Sequence, residues 1–202
     1  MIFPRIPERL LTTEDSYFEA APDVREFAYD TFISGCGPLV NDDHEHLADA
    51  DVLFVWSSVE FSSKGNNVVA TCQLGEQTGG LGKKEFQEWQ YRNLNGGMLP
   101  DFVVTLCAPF FTEADSVAVC AVIEHELHHT EQKKDKHGVP KRNQGKPVWG
   151  IKGHDVEVFI RDVERYGAYS PSLIRLKAAL DSPPLINPSE AKVAVCGCGA
   201  RI

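Results

Sequence analysis

The sequence predicts an α+β domain: a small, mostly antiparallel sheet packed on a long helix and a following helix. Three observations predict it. Two runs rich in β-branched and aromatic residues, "DVLFVWSSVEF" (51–61) and "VVATCQL" (68–74), flank "SSKGNN", where Gly and Asn tolerate the positive φ of a hairpin turn. A third apolar run, "DFVVTLCAPFF" (101–111), reads as a strand beside that hairpin. A stretch without Gly or Pro then runs from Thr112 to Gly138, and helical spacing resumes at His154.

The elements follow in order. Residues 1–21 carry Pro4 and Pro7 and read as an extended N-terminal arm, with Pro22 as the next breaker. Val24, Phe27, Ala28 and Phe32 give helical spacing from Pro22 to Ile33, and Gly35 ends it. The hairpin strands come next, then a glycine-bounded insertion with a short helix at 84–93, then the third strand. Thr112 is a candidate N-cap, with Asp115 three residues on, and the helix that follows is expected to run about five turns. Residues 137–153 hold four Gly and two Pro and read as a loop. The stretch "HDVEVFIRDVERYG" is expected to be a helix with an apolar stripe of Val156, Phe159, Ile160 and Val163 docked on the core. A domain over 22–168 is expected, with 169–202 a C-terminal helix and a tail that carries "CGCG".

Bulk properties exclude some classes. The chain has 202 residues, 43% hydrophobic and 24% charged, which suits one folded domain. A net charge of −9 is not that of a general nucleic-acid binder. No apolar run approaches the length of a membrane span, and the first residues do not read as a signal peptide. Four of the six cysteines are isolated, so the expected setting is reducing and cytoplasmic.

The chemistry concentrates in "AVIEHELHHTEQ", residues 121–132. His125 and His129 lie four apart, on one face of a helix. With Glu126 they form H-E-x-x-H, in which two imidazoles grip one Zn2+ and the glutamate is general base toward a zinc-activated water. The dull alternative is a solvated helical face with incidental histidines. His128 falls off the pattern and reads as a surface residue or a support for the ligands. A catalytic zinc takes a third protein ligand, and His137, His154, Asp155 and Glu157 are the candidates. His154 is favoured, at the start of the next helix beside Gly153, with Asp155 near the N-cap. Asp155 or Glu157 is otherwise a candidate to orient a ligand imidazole.

"VIEHELHHTEQ" and the later "GHDVEVFIRDVERYG" resemble the putative phage metallopeptidase family and, more loosely, the SprT-like zinc metalloproteases. "GPLVNDDHEHLADADVLFVW" and "VVATCQL" are similar to the segment before the catalytic helix. The resemblance covers roughly residues 20–167. It implies a zincin-like fold and a zinc-dependent peptidase acting on protein or peptide. One zinc per chain would sit on His125, His129 and His154, with Glu126 as catalytic base. It also implies a phage- or prophage-encoded chain in a host cytoplasm. The rival is a non-catalytic zinc-containing protein of the same fold that binds a host protein or DNA.

Residues 133–152 hold seven basic side chains, Lys141 and Arg142 among them, against a single Asp135. A solvated loop is the plain reading; the functional one is steering of an acidic substrate or weak DNA contact. Trp149 lines a substrate pocket or, more simply, pins this loop to the core. Tyr166 and Tyr169 are candidate donors to a developing negative charge, although Tyr166 falls near the apolar stripe. His44 and His46, with Asp42 and Asp43, form a candidate second metal site, though such a pair is more often plain surface. One Cys-x-Cys pair is too little for a zinc ribbon and is assigned no metal.

Overall fold

Two apolar runs of the sequence, around Val52–Ser57 and Phe102–Cys107, become the two central strands of one sheet. In the computed structural model, residues 4–63, 65–80 and 82–195 are described, without side chains for 192–195. Helix α1 (Arg9–Thr12) and strand β1 (Phe18–Ala20) precede helix α2 (Pro22–Ala28), which continues as a π-helical turn over Tyr29–Ile33. A 3-10 helix (Asp42–Asp49) leads to β2 (Val52–Ser57), the short hairpin β3 (Phe61–Ser63) and β4 (Asn66–Val68), then β5 (Ala70–Leu74) and α3 (Lys83–Leu94). Strand β6 (Phe102–Cys107) feeds α4 (Ala108–Glu113) and α5 (Ser116–His128). Then come β7 (Thr130–Gln132), β8 (Arg142–Asn143), β9 (Lys146–Pro147), β10 (Trp149–Ile151), α6 (Ile160–Tyr166), α7 (Pro171–Leu180) and α8 (Pro188–Val195).

The main sheet has the order β1-β2-β6-β5. This corrects the expected hairpin: β2 and β5 are not neighbours. Strand β6 lies between them, parallel to β2 and antiparallel to β5. The physical reason is burial. Every residue of β2 and of β6 is buried, so both need a strand on each side and cover on each face. Val52, Phe54, Trp56, Phe102, Val104 and Leu106 pack on one face with α2 and α5. Leu53, Val55 and Val103 pack on the other with Tyr91 of α3. The "SSKGNN" turn is real, with Gly65 at φ +81°, but it closes only the short β3–β4 ladder. Residues 1–21, read as an arm, supply the edge strand β1 against β2 and the buried Leu10.

The long helix is divided. Thr112 sits inside α4, where its hydroxyl donates to the Ala108 carbonyl at 3.1 Å. Asp115 is the true N-cap of α5, accepting from the Ala118 N–H at 2.8 Å. Helix α5 has 13 residues and stops at His128, well short of five turns. The chain there turns into β7, which pairs antiparallel with β10. The predicted loop over 137–153 therefore contains one strand of that ladder, β10, and a hairpin of β8 and β9. Gln144 and Gly145 turn the hairpin with φ +50° and +82°, as a tight two-residue turn requires.

The helix expected from His154 begins only at Ile160, with Phe159 as its cap residue. Its stripe does not dock: Phe159 is 79% exposed and Ile160 77%. Helix α8 already covers the neighbouring face of α5, where Ala191 is buried and its carbonyl oxygen lies 3.9 Å from Cys120 Sγ. The "CGCG" motif lies outside the described residues.

Gly75 marks a close backbone approach. A Cβ there would stand 1.7 Å from the Pro100 carbonyl oxygen, while Gly80 has nothing within 4 Å. Gly75→Ala should cost about 1–3 kcal/mol or more in chemical denaturation, and Gly80→Ala should melt like the parent. Equal stability of the two variants would contradict this packing.

Candidate metal centre

Helix α5 points its residues two ways. Val119, Cys120, Ile123, Glu126 and Leu127 face inward. His125, His128 and His129 fall between these positions and turn toward solvent. Thus one helix buries the glutamate of the motif and exposes its imidazoles.

The structure brings His125, His129 and His154 together. One ligand atom from each lies within 4.8 Å of the others. Their ring centroids are 4.6–5.1 Å apart. His154 Nε2 lies 3.2 Å from His125 Nε2. Two nitrogens each about 2.05 Å from a tetrahedral zinc would be roughly 3.3 Å apart, so this spacing fits the ion. His154 arrives from the irregular segment after β10 rather than at a helix start, and Asp155 is not an N-cap. The β7–β10 ladder brings the segment back: Lys152 N–H donates to the His129 carbonyl at 2.7 Å. His129 Nδ1–H in turn donates to the Lys152 carbonyl at 2.8 Å. That second bond leaves the Nε2 lone pair of His129 directed at the other imidazoles.

Burial lowers the pKa of His125, and His129 and His154 push the same way. The neutral form, which a metal needs, is thereby favoured. Glu126 is 5% exposed, and its Oε2 has no hydrogen-bond partner. Burial pushes its carboxyl up to about 7, against a downward pull from His129. It lies beneath edge strand β5: burial first, and then Glu126, push the Cys72 thiol up to about 12. A cavity of roughly 300 Å³ opens over the histidines, lined by Asp43, His128, Lys152, Gly153 and Asp155 besides the three.

The other candidates lie as follows. Glu157 Oε1 stands 3.7 Å from His154 Nδ1, and Asp155 lines the cavity. His137 is exposed on the hairpin side, its N–H bonded to Asp135. Tyr166 is 65% exposed, under the Arg165 guanidinium, away from the core position expected for it. Tyr169 is exposed too. Trp149 packs on Phe102 at 5.4 Å and belongs to the core margin. Lys141 and Arg142 are exposed on the hairpin and do not line the cavity. His46 is engaged at both nitrogens, 3.1 Å from the Asp43 carbonyl and 2.9 Å from Thr130 Oγ1. His44 does not pair with His46 as a site; it is fully buried beside Glu124 and His128. Glu124 drew no attention in the sequence, although its i,i+4 spacing to His128 was visible there.

Two imidazoles from the H-E-x-x-H segment and a third from the segment after β10 converge here, with the motif's glutamate buried on the inner side of α5, an arrangement that could hold a metal ion. The chain belongs to the putative phage metallopeptidase family, which matches residues 16–182. That membership implies a metal and a protein or peptide substrate. No curated protein and no solved structure matches the chain. No helix among the described residues is long and apolar enough to cross a membrane.

The raised carboxyl has a measurable consequence in the metal-free protein. Glu126 is held neutral in the folded state up to about pH 7, against an ordinary value of 4.5. Its contribution to stability is therefore full below pH 4.5 and lost as pH rises through 7. Glu126→Gln stays neutral throughout. With chelator present, the variant should be more stable than the parent at pH 8, by about 3 kcal/mol at most, and the gap should close toward pH 4.5. A gap independent of pH would mean the carboxyl is not raised.

Proposed function

We propose that the chain is a zinc-dependent metallopeptidase that hydrolyses peptide bonds, with Glu126 as general base. One observation carries the reading: three imidazoles converge at zinc-like spacing, two of them from the motif whose Glu126 is buried with its Oε2 unpartnered. His125, His129 and His154 would hold the ion. When bound, zinc supplies Lewis acidity, polarising the scissile carbonyl and bringing the pKa of water near neutrality.

The protein's residues do the rest. The Lys152 carbonyl fixes the ring of His129, so the imidazole meets its metal without rotational search. Glu126, displaced by burial toward pH 7, is suited to take a proton from water and return it to the leaving amine. Glu157, with its Oε1 3.7 Å from His154 Nδ1, would support that ring, and Asp155 lines the same cavity. Strand β5 ends the four-stranded sheet, with β10 packed close to it, and an extended substrate main chain would add at this margin. Such pairing holds a peptide through its backbone and reads little of its sequence. The seven basic side chains of 133–152 are all exposed and would favour acidic substrate segments, with DNA contact weak at best. The setting proposed is the host cytoplasm of a phage or prophage. The non-catalytic rival requires a closed site, and among the described residues the three histidines have no fourth protein ligand.

The test combines zinc analysis with cleavage of an unfolded protein such as reduced casein. Glu126→Gln should keep its zinc and lose at least about 100-fold in cleavage. His154→Ala should lose one zinc relative to the parent and all cleavage. Parental cleavage by Glu126→Gln would reject the general-base assignment.

A further inference from the structure

Helix α5 carries a second pair of ligand-type side chains. Glu124 and His128 are four residues apart, as His125 and His129 are, and are offset from that pair by one position. The two pairs therefore sit about 100° apart around the helix. The 3-10 helix Asp42–Asp49 brings His44 against Glu124 and His128. One ligand atom from each of the three lies within 4.8 Å of the others. His44 Nε2 is 3.7 Å from Glu124 Oε1, and the His44 and His128 rings are 4.6 Å apart.

His44 is the informative member. It is completely buried, and neither of its ring nitrogens has a hydrogen-bond partner among the described residues. Leaving an imidazole in that condition is costly, since a buried polar group without a partner forfeits what water would give it. A plain structural histidine would be tied to a carbonyl or hydroxyl, as its neighbour His46 is. Glu124 meanwhile is held in place, its Oε1 accepting from Asn41 Nδ2 at 2.8 Å. That is the kind of outer support that orients a ligating carboxylate.

We propose that His44, Glu124 and His128 form a second binding site for a zinc-class divalent cation. Two imidazole nitrogens and one carboxylate oxygen make an N2O set that suits borderline metals rather than calcium or magnesium. Of the three, His128 also lines the cavity above the three-histidine cluster. The ion would clamp the 3-10 helix to α5 and satisfy His44. This site is independent of the three-histidine reading.

The experiment is elemental analysis of the full chain after loading with zinc and removal of excess, with circular dichroism to verify folding. The variants are His44→Gln, His128→Gln, His154→Ala and the His128→Gln/His154→Ala double. The expected contents are about two zinc ions in the parent, one in each single variant and none in the double. One ion in the parent, kept in His128→Gln and lost in His154→Ala, would overturn the second site and leave the peptidase site standing. One ion lost in His128→Gln and kept in His154→Ala would do the reverse. Should His44→Gln fail to fold, the exposed His128 still decides the matter.

Discussion

Everything at the candidate centre depends on how α5 is rotated about its own axis. Ile123 and Leu127 are completely buried against the sheet, and Val119 and Cys120 extend that stripe by one turn. Because side chains recur every 3.6 residues, fixing this stripe fixes every other direction on the helix. Glu126, adjacent to Leu127, is forced inward under β5. His125 and His129 are turned out together, and Glu124 and His128 are turned out toward the 3-10 helix. A rotation of one residue would trade the carboxylate for an imidazole in the interior. The apolar core is thus what sets the chemistry, through nothing more specific than close packing.

The helix is itself held by the layer beneath it. Strands β2 and β6, buried at every residue, need helices on both faces, and α3 supplies the second cover that lets α2 and α5 occupy the first. Strand β6 can run parallel to β2 because the long stretch between them, with β3, β4, β5 and α3, returns the chain to the end of the sheet where β2 began. That arrangement leaves β5 at the margin, above the buried glutamate.

The residues that converge at the candidate centre were more legible in the sequence than the elements that carry them. H-E-x-x-H needs only local helical spacing, and that spacing is a property of 13 residues. His154 was legible as a residue type after a connection, but its means of arrival was not. The β7–β10 ladder depends on two three-residue strands, too short to leave a periodic signal. The sheet order was not legible because Gly and Asn in "SSKGNN" signal a turn without saying how far the ladder beside it extends. The stretch "DFVVTLCAPFF" looked like one strand, yet Pro109 falls in the first turn of α4, where a missing N–H costs nothing. The apolar spacing in α6 was genuine and still did not predict burial, because periodicity marks a face without saying that anything covers it; the buried contact on α5 at Cys120 comes from Ala191 of α8. Glu124 and His44 meet across 80 residues of chain, a distance over which spacing carries no information.

The β7–β10 ladder has one more consequence. It closes the base of the excursion between Gln132 and Trp149, and the bonds between His129 and Lys152 lie immediately outside that base. The tip, with β8, β9 and its exposed lysines, is thereby mechanically isolated from the histidines. Lengthening it, shortening it or reversing its charge would leave the anchor of His154 unmoved. Within this architecture the tip is a site of free variation, where a chain can change what it meets without disturbing what it does.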